Sequence, residues 1–279
     1  MGCAATLTAL VLQGASGVFP AGPLPPLVTA SGGAVVASGR TGAIQLNPAS
    51  AAWARGVELS LVSHPRTDLE GFSAVLSTGA RIGLVASIWS YALKDIFDSD
   101  LVALDPSLAG EGATSAGVSL GASWRMGPAG FGLVADHRMQ SILDHQASAS
   151  AVSVGARLDL KAVELGVAFL DVPLGSPHNN VSPRRTALAG VATTVRALRG
   201  VRVRAEIDAH ATEGDFSRAS YRAASTVALR QVEVTGGYSS WGWSAGAAAT
   251  YERWRLEVAS NFVSSDRLDQ RVAFSIIYR

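Results

Sequence analysis

The chain has 279 residues, of which 48% are hydrophobic and only 16% are charged, and its formal net charge is +1. This length suits one large β or α/β domain, or two small ones. The composition excludes a disordered chain, and the charge balance gives no electrostatic case for nucleic-acid binding. A single cysteine, Cys3, excludes an internal disulfide framework and a cysteine-based zinc site. After residue 40, no stretch approaches the ~18–20 apolar residues that a membrane-spanning helix needs.

The first thirty residues differ from the rest, and no charged side chain occurs between Met1 and Gly39. Residues 4–12 have the pattern of the apolar core of a secretory signal, and the Pro-rich run FPAGPLPP follows. Small side chains make Ser16 and Ala30 the candidate cleavage points. The basic residues of an ordinary signal are missing, so either the true start lies upstream or the signal is atypical. A buried N-terminal helix is the alternative, which the Gly and Pro density disfavours. We expect residues 1–30 to be an export segment.

From residue 56 onward, apolar residues alternate with small or polar ones, which is the period of a strand with two different faces. In the clearest example, Val203 and Ile207 alternate with Arg204, Glu206 and Asp208. Most runs have the length of a tilted strand that crosses a bilayer. Fourteen such runs are predicted: 57–63, 70–78, 80–90, 114–125, 129–136, 150–161, 162–170, 185–196, 200–210, 220–230, 231–239, 242–252, 253–262 and 271–279.

The connections between these runs alternate between short turns and longer polar loops, the latter predicted at 91–113, 137–149, 171–184, 211–219 and 263–270. By this alternation the connections 64–69 and 240–241 belong to the set of longer loops, although both are short. This asymmetry is typical of an outer-membrane barrel with tight periplasmic turns and larger external loops. Tryptophans at strand ends are also expected where an aromatic girdle meets the lipid headgroups; these are Trp89, Trp124, Trp241, Trp243 and Trp254. We therefore predict an all-β transmembrane antiparallel up-and-down barrel over residues 56–279, with a soluble sandwich as the alternative.

Charged residues occupy one face of nearly every strand, which in a barrel is the inward face. The predicted lumen-facing charges are Arg81, Arg125, Arg157, Asp159, Arg202, Arg204, Glu206, Asp208, Glu233, Glu252, Arg255 and Glu257. We interpret them as a solvated, mutually neutralising set that holds the wall to a plug; the mixed signs disfavour the alternative, a selective ion path. Four of the five histidines fall at predicted loops and only His210 faces inward, with no metal-site spacing. We expect no metal, no cofactor and no catalytic residue.

Fourteen strands enclose a lumen wider than side chains alone can fill, since about eight strands already suffice for that. We predict that residues 31–55 form a small hatch inside the barrel. Its glycines and small side chains suit a confined space, and Arg40 or Arg55 could pair with inward carboxylates such as Glu58 or Glu257. Within it, Asn47, Pro48 and Ala49 form an Asn-Pro turn, where Asn47 would hydrogen-bond the wall and Pro48 would make the plug rigid. The alternatives are a surface turn, and a disordered periplasmic tail with loop 91–113 folded inward.

The stretch TGAIQLNPASAAW (41–53) resembles the N-terminal signature of the FadL-like outer-membrane barrels, and most closely their PorV/PorQ branch. SAGVSLGASW (115–124), SPRRTALAGVA (182–192) and the closing hairpin 256–279 fit the same pattern, so the resemblance covers residues 35–279. It implies a fourteen-stranded barrel with an N-terminal hatch. FadL-type members pass hydrophobic compounds into the membrane through a side opening, and PorV-type members bind or shuttle cargo of the type IX secretion system. Two features depart from the family: the chain ends on Arg279 rather than an aromatic residue, and its loops are short.

Together these observations predict a non-enzymatic integral barrel in the outer membrane of a diderm bacterium, exported through the periplasm. The expected function is passage of small hydrophobic molecules across or into that membrane. A docking barrel for type IX secretion is the alternative. An outer-membrane enzyme is a third hypothesis, which the sequence supports least. The expected partners are outer-membrane lipid, a hydrophobic small molecule or a secreted cargo protein, and the barrel-assembly machinery during insertion, with no nucleic acid.

Overall fold

A computed structural model describes residues 25–31, 33–64, 69–93, 112–142, 145–175, 185–212, 219–239, 242–262 and 272–279. Fourteen antiparallel strands form a closed barrel in which each strand pairs with the next and the last pairs with the first. The predicted fold class and strand number are confirmed. The strands are β1 (Arg55–His64), β2 (Leu69–Thr78), β3 (Ile82–Leu93), β4 (Ala113–Met126), β5 (Ala129–Ile142), β6 (His145–Asp159), β7 (Val163–Pro173), β8 (Thr186–Leu198), β9 (Val201–Thr212), β10 (Ser220–Leu229), β11 (Val232–Ser239), β12 (Gly242–Tyr251), β13 (Trp254–Phe262) and β14 (Val272–Tyr278).

The two faces of each strand meet different surroundings, as the period-two pattern predicts. On β1, Leu59 is 47% exposed on the outside, whereas the neighbouring Glu58 is 1% exposed on the inside. On β4, Leu120 is 68% exposed. Closure pairs β1 with β14 and leaves no free sheet edge, which is the condition for strands to lie in lipid. The outer surface is therefore an apolar band around a wall whose backbone hydrogen bonds are satisfied internally. Among the described residues, no helix is both long and apolar enough to cross a membrane.

Aromatic residues face outward near both ends of the barrel. Trp254 lies 4.9 Å from Tyr278, and Tyr238 lies 4.8 Å from Trp243, measured between ring centroids. Trp124 is also exposed on the outside, and Trp241 falls outside the described residues. The prediction for Trp89 is wrong, because this side chain is buried on the inward face of β3.

The connections fall into two sets, at opposite ends of the barrel. Short turns at 79–81, 127–128, 160–162, 199–200, 230–231 and 252–253 define the short-turn end, and the opposite end is the loop end. One predicted long loop is wrong: β5 runs to Ile142 and β6 starts at His145, so most of 137–149 is strand and two histidines assigned to it lie on strands. Glu252 was predicted to face the lumen, but it lies in the turn after β12 with a φ of 52°.

Residues 25–31 and 33–54 precede β1 and lie inside the barrel, and we call them the hatch segment. It comprises α1 (Pro26–Ala30) and two 3-10 helices, Thr41–Gln45 and Pro48–Ala52. The helix α1 packs against β11 to β14, and the second 3-10 helix packs against β2 to β6. The described segment starts within the stretch that the sequence analysis assigned to export. Nearly all of its side chains are buried, because the barrel wall surrounds it.

Candidate functional site

Two inward carboxylates on β9 hold the backbone of the hatch segment. The amide of Val36 donates to Asp208 Oδ2 at 2.8 Å, and the amide of Ala37 donates to Glu206 Oε1 at 2.9 Å. From the other side, Arg157 Nε on β6 donates to the carbonyl oxygen of Ala37 at 2.8 Å. Hydrogen bonds to charged groups are stronger than neutral ones. The charged residues of β6 and β9 thus hold the turn at Val36 and Ala37 of the hatch segment against the wall.

Asn47 links two parts of the hatch segment to the wall and is fully buried. Its Nδ2 donates to the carbonyl oxygens of Val36 at 2.7 Å and of Ala156 on β6 at 3.1 Å. Its Oδ1 accepts from the amide of Ala49 at 3.1 Å, which caps the second 3-10 helix. Pro48 occupies the first position of that helix, where the missing N–H has no cost.

Further ion pairs connect β6, β7 and β9 across the inner wall. Arg204 Nη1 lies 2.6 Å from Glu164, and its Nη2 lies 2.9 Å from Glu206. Arg157 Nη2 lies 2.7 Å from Glu164 and 3.7 Å from Asp159. Each cation in this chain of contacts has an anion on either side, so the charges neutralise one another in a buried setting.

The hatch segment also pairs with the opposite wall. Arg40 Nη1 lies 2.7 Å from Glu233 on β11, and Arg255 on β13 shares that carboxylate at 2.8 Å while contacting Glu257. The partner of Arg40 is thus neither of the two carboxylates suggested by the sequence. Glu58 is buried and accepts from Ser60 at 3.3 Å.

Three of the predicted charges lie close to the short-turn end and are exposed. Arg81 stands at the bend before β3. Arg125 donates to the carbonyl oxygen of Gly127 at 3.1 Å, and its guanidinium lies 4.9 Å from the ring centroid of Trp53 in the hatch segment. Arg202 lines a cavity at this end of the barrel.

A charged cluster nearer the loop end was missed by the sequence analysis. Arg138 on β5 is almost completely buried, forms an ion pair with Asp171 on β7, and lies 3.5 Å from Asp136. Arg138 and Asp171 fall within predicted loops, 137–149 and 171–184, so neither was assigned to the inward face of a strand. The described residues contain no group of three or more metal-ligating side chains.

Four wall glycines let the hatch backbone or its capping side chain approach the strands directly; they are Gly83, Gly132, Gly155 and Gly166. A Cβ on Gly132 would lie 2.3 Å from the carbonyl carbon of Pro48, and one on Gly166 would lie 2.2 Å from the carbonyl oxygen of Val36. No flexible side chain separates wall and hatch at these two points. The high glycine content of the sequence was the available signal, but the inward glycines could be singled out only once the register was known.

Apolar side chains face the lumen in the half of the barrel nearer the loop end. Trp89 and Tyr91 on β3 are buried, with their rings packed edge to face at 6.1 Å. Across the barrel, Leu170 and Leu188 pack against Val36 of the hatch segment. The inner wall here thus combines buried aromatic and aliphatic side chains with the ion pair of Arg138 and Asp171.

The fold is similar to that of several solved transporter barrels. The Ralstonia pickettii toluene transporter TbuX has a TM-score of 0.61 and 13% identity, over 94% of this chain and 99% of that one. The Pseudomonas putida toluene transporter TodX has a TM-score of 0.58 and 14% identity, over 90% and 95%. A Pseudomonas aeruginosa FadL homologue has a TM-score of 0.53 and 10% identity, over 91% and 98%. No protein-family model matches the sequence, and no curated protein matches it. The structural likeness establishes a FadL-like barrel fold.

Proposed function

We propose that this protein passes small hydrophobic molecules across or into the bacterial outer membrane. The observation that carries the proposal is the inward-facing apolar wall near the loop end, formed by Trp89, Tyr91, Leu170 and Leu188. The interior of a porin channel is polar, whereas binding sites for small molecules are lined mainly by apolar and aromatic side chains. The likeness to two toluene transporters supports the same substrate class.

In this proposal the protein is exported through the periplasm and inserted by the barrel-assembly machinery, with its short turns on the periplasmic side. The hatch segment closes the short-turn half of the lumen, so ions and water do not pass freely while a hydrophobic molecule enters from the loop end. The anchors at Asp208, Glu206, Asn47 and Arg40 would hold this closed state. The barrel performs no chemistry on its cargo.

Uptake of radiolabelled toluene by cells that express the protein tests the proposal, with a sugar of similar size as the polar comparison. We expect toluene uptake to be saturable, and we expect Trp89→Gln to lower it because a polar side chain then interrupts the apolar wall. Trp243→Gln is the matched control, since this tryptophan faces outward. Equal uptake by cells with and without the protein, or equal loss in both variants, would contradict the proposal.

A docking barrel for a type IX secretion system, of the PorV/PorQ branch, is the alternative that the motif at 41–53 implies. The loops predicted to be external, which would hold cargo in this alternative, fall largely outside the described residues. Surface display of secreted cargo in cells lacking the gene separates the two proposals. Lost display with normal toluene uptake would favour docking, and the reverse would favour passage.

A further inference from the structure

A cavity of about 670 Å³ opens at the short-turn end, between the hatch segment and the wall. Besides Trp53 and small residues, it is lined by six arginines and one glutamate. The cations come from the hatch segment, from β1, β9 and β13, from the turn before β13 and from the residue after β14: Arg40, Arg55, Arg202, Arg253, Arg255 and Arg279. The single carboxylate is that of Glu233.

Within the described part of the chain, carboxylates neutralise this excess of positive charge only in part. Glu233 is shared by Arg40 and Arg255, at 2.7 and 2.8 Å, and Arg255 also contacts Glu257 from the wall. The remaining four arginines of the cavity form no ion pair with a described residue; they are Arg55, Arg202, Arg253 and Arg279. The pKa of the Arg279 guanidinium is lowered by burial and then by the neighbouring Arg255 and Arg40. Positive charges therefore outnumber the carboxylates around this cavity.

The side chains that gather here are suited to one chemistry. A guanidinium group is planar, stays charged, and presents a fork of N–H donors that matches phosphate oxygens. A volume of about 670 Å³ is within the range of ligand pockets. Groups that converge from several elements match a ligand whose acceptor oxygens point in several directions, as those of a phosphate ester or polyphosphate do.

We propose that this cavity, which we call the arginine vestibule, is a binding site for a multiply charged phosphate anion. The anion would bridge Arg40 of the hatch segment to Arg202 and Arg279 of the wall. Two sources supply this chemistry at the proposed periplasmic end, a soluble polyphosphate and the headgroup of an anionic phospholipid. The site does not depend on the passage of hydrophobic molecules, because its residues are separate from the apolar wall near the loop end.

Isothermal titration of the purified protein in detergent, at constant ionic strength, tests the site. The two probes are inorganic tripolyphosphate and short-chain dihexanoyl phosphatidic acid, and sodium sulfate is the comparison anion. The test variant is Arg202→Gln/Arg279→Gln, which breaks no ion pair with a described residue. The control is Arg196→Gln/Arg199→Gln, which removes the same charge from exposed positions outside the vestibule. Heat-modifiable migration on gels verifies that each variant is folded.

We expect tripolyphosphate to bind the wild type more tightly than sulfate, and the test variant to bind it about tenfold more weakly or worse, because two charge-assisted contacts are lost. The control should bind as the wild type does. Binding of phosphatidic acid alone, with the same response to the variants, supports the site and identifies a lipid headgroup as its occupant. Binding of neither probe, or an equal loss in test and control variants, overturns the proposal.

Discussion

Gly166 on β7 is a position where one added methyl group should disturb the hatch, because the three atoms nearest to the new Cβ all belong to the hatch segment. An alanine Cβ there would lie 2.2 Å from the carbonyl oxygen of Val36, and Cβ contacts below 3.0 Å are essentially not seen. The hatch backbone must therefore move away by about 0.8 Å. The same stretch is held by two hydrogen bonds, which the backbone amide of Val36 donates to Asp208 at 2.8 Å and that of Ala37 donates to Glu206 at 2.9 Å. We expect the shift to lengthen them.

The cost of Gly166→Ala has two parts. Overpacking of a close contact costs about 1–3 kcal/mol, and a weakened hydrogen bond to a charged group adds part of its roughly 1.5–3 kcal/mol. We expect the free energy of unfolding to fall by about 2–4 kcal/mol. The matched control is Gly236→Ala on β11, where a Cβ would have nothing nearer than 4.0 Å, and its effect should stay within about 0.5 kcal/mol.

Equilibrium urea unfolding in lipid vesicles, followed by tryptophan fluorescence, measures the loss of stability. Single-channel recording in planar bilayers then shows whether the hatch still closes the lumen. We expect the wild type and Gly236→Ala to be electrically silent and Gly166→Ala to show intermittent conductance. A Gly166→Ala protein that is as stable and as silent as the wild type would refute the placement of Val36 against β7.

Three further predictions concern the hatch anchor, the outward face of the strands and the orientation of the barrel. Asn47→Ala should lower the free energy of unfolding by about 2–3 kcal/mol, because the three hydrogen bonds of a fully buried side chain are lost; an unchanged urea midpoint would contradict the anchor role. Leu120→Arg, in the middle of β4, should cost about 2–4 kcal/mol in vesicles, and Leu198→Arg, at the end of β8, about 0–1 kcal/mol; equal costs would argue against a bilayer around the barrel. An epitope inserted after Gly175 should be labelled on intact cells and one after Gly127 should not; the opposite result would reverse the orientation.

The strands could be predicted because an apolar outer face and a polar inner face impose a period of two. Glu58 and Leu59, which are neighbours on β1, show why this signal is strong. The signal fades near the loop end, where β5 and β6 continue through His137 to His145. Outward residues there include polar ones, so alternation no longer marks a strand and the segment looked like a loop.

Trp89 shows a second limit of prediction from sequence. A tryptophan at a strand end suggested the membrane interface, but the alternation along β3 places this side chain on the inward face. It shares a face with Val85, whereas Ile88 belongs to the outward set, so strict parity would have placed it inside. The partners of the hatch charges were a harder case. Nothing local in the sequence links Arg40 to Glu233, because that pairing depends on the path of the hatch backbone around the lumen.

The hatch segment has a consequence for the order in which the protein is assembled. The amide of Val36 bonds to a carboxylate 172 positions later, and the carbonyl of Ala30 accepts from Ser244, 214 positions later. Contacts between such distant parts of a chain form late in folding. The segment precedes β1, yet it can reach its final place only when β9 and β12 exist. Pairing of β14 with β1 then seals the wall around it. The hatch segment, which is synthesised before all the strands, is thus among the last parts of the barrel to become ordered. It must lie on the lumen side before β14 pairs with β1.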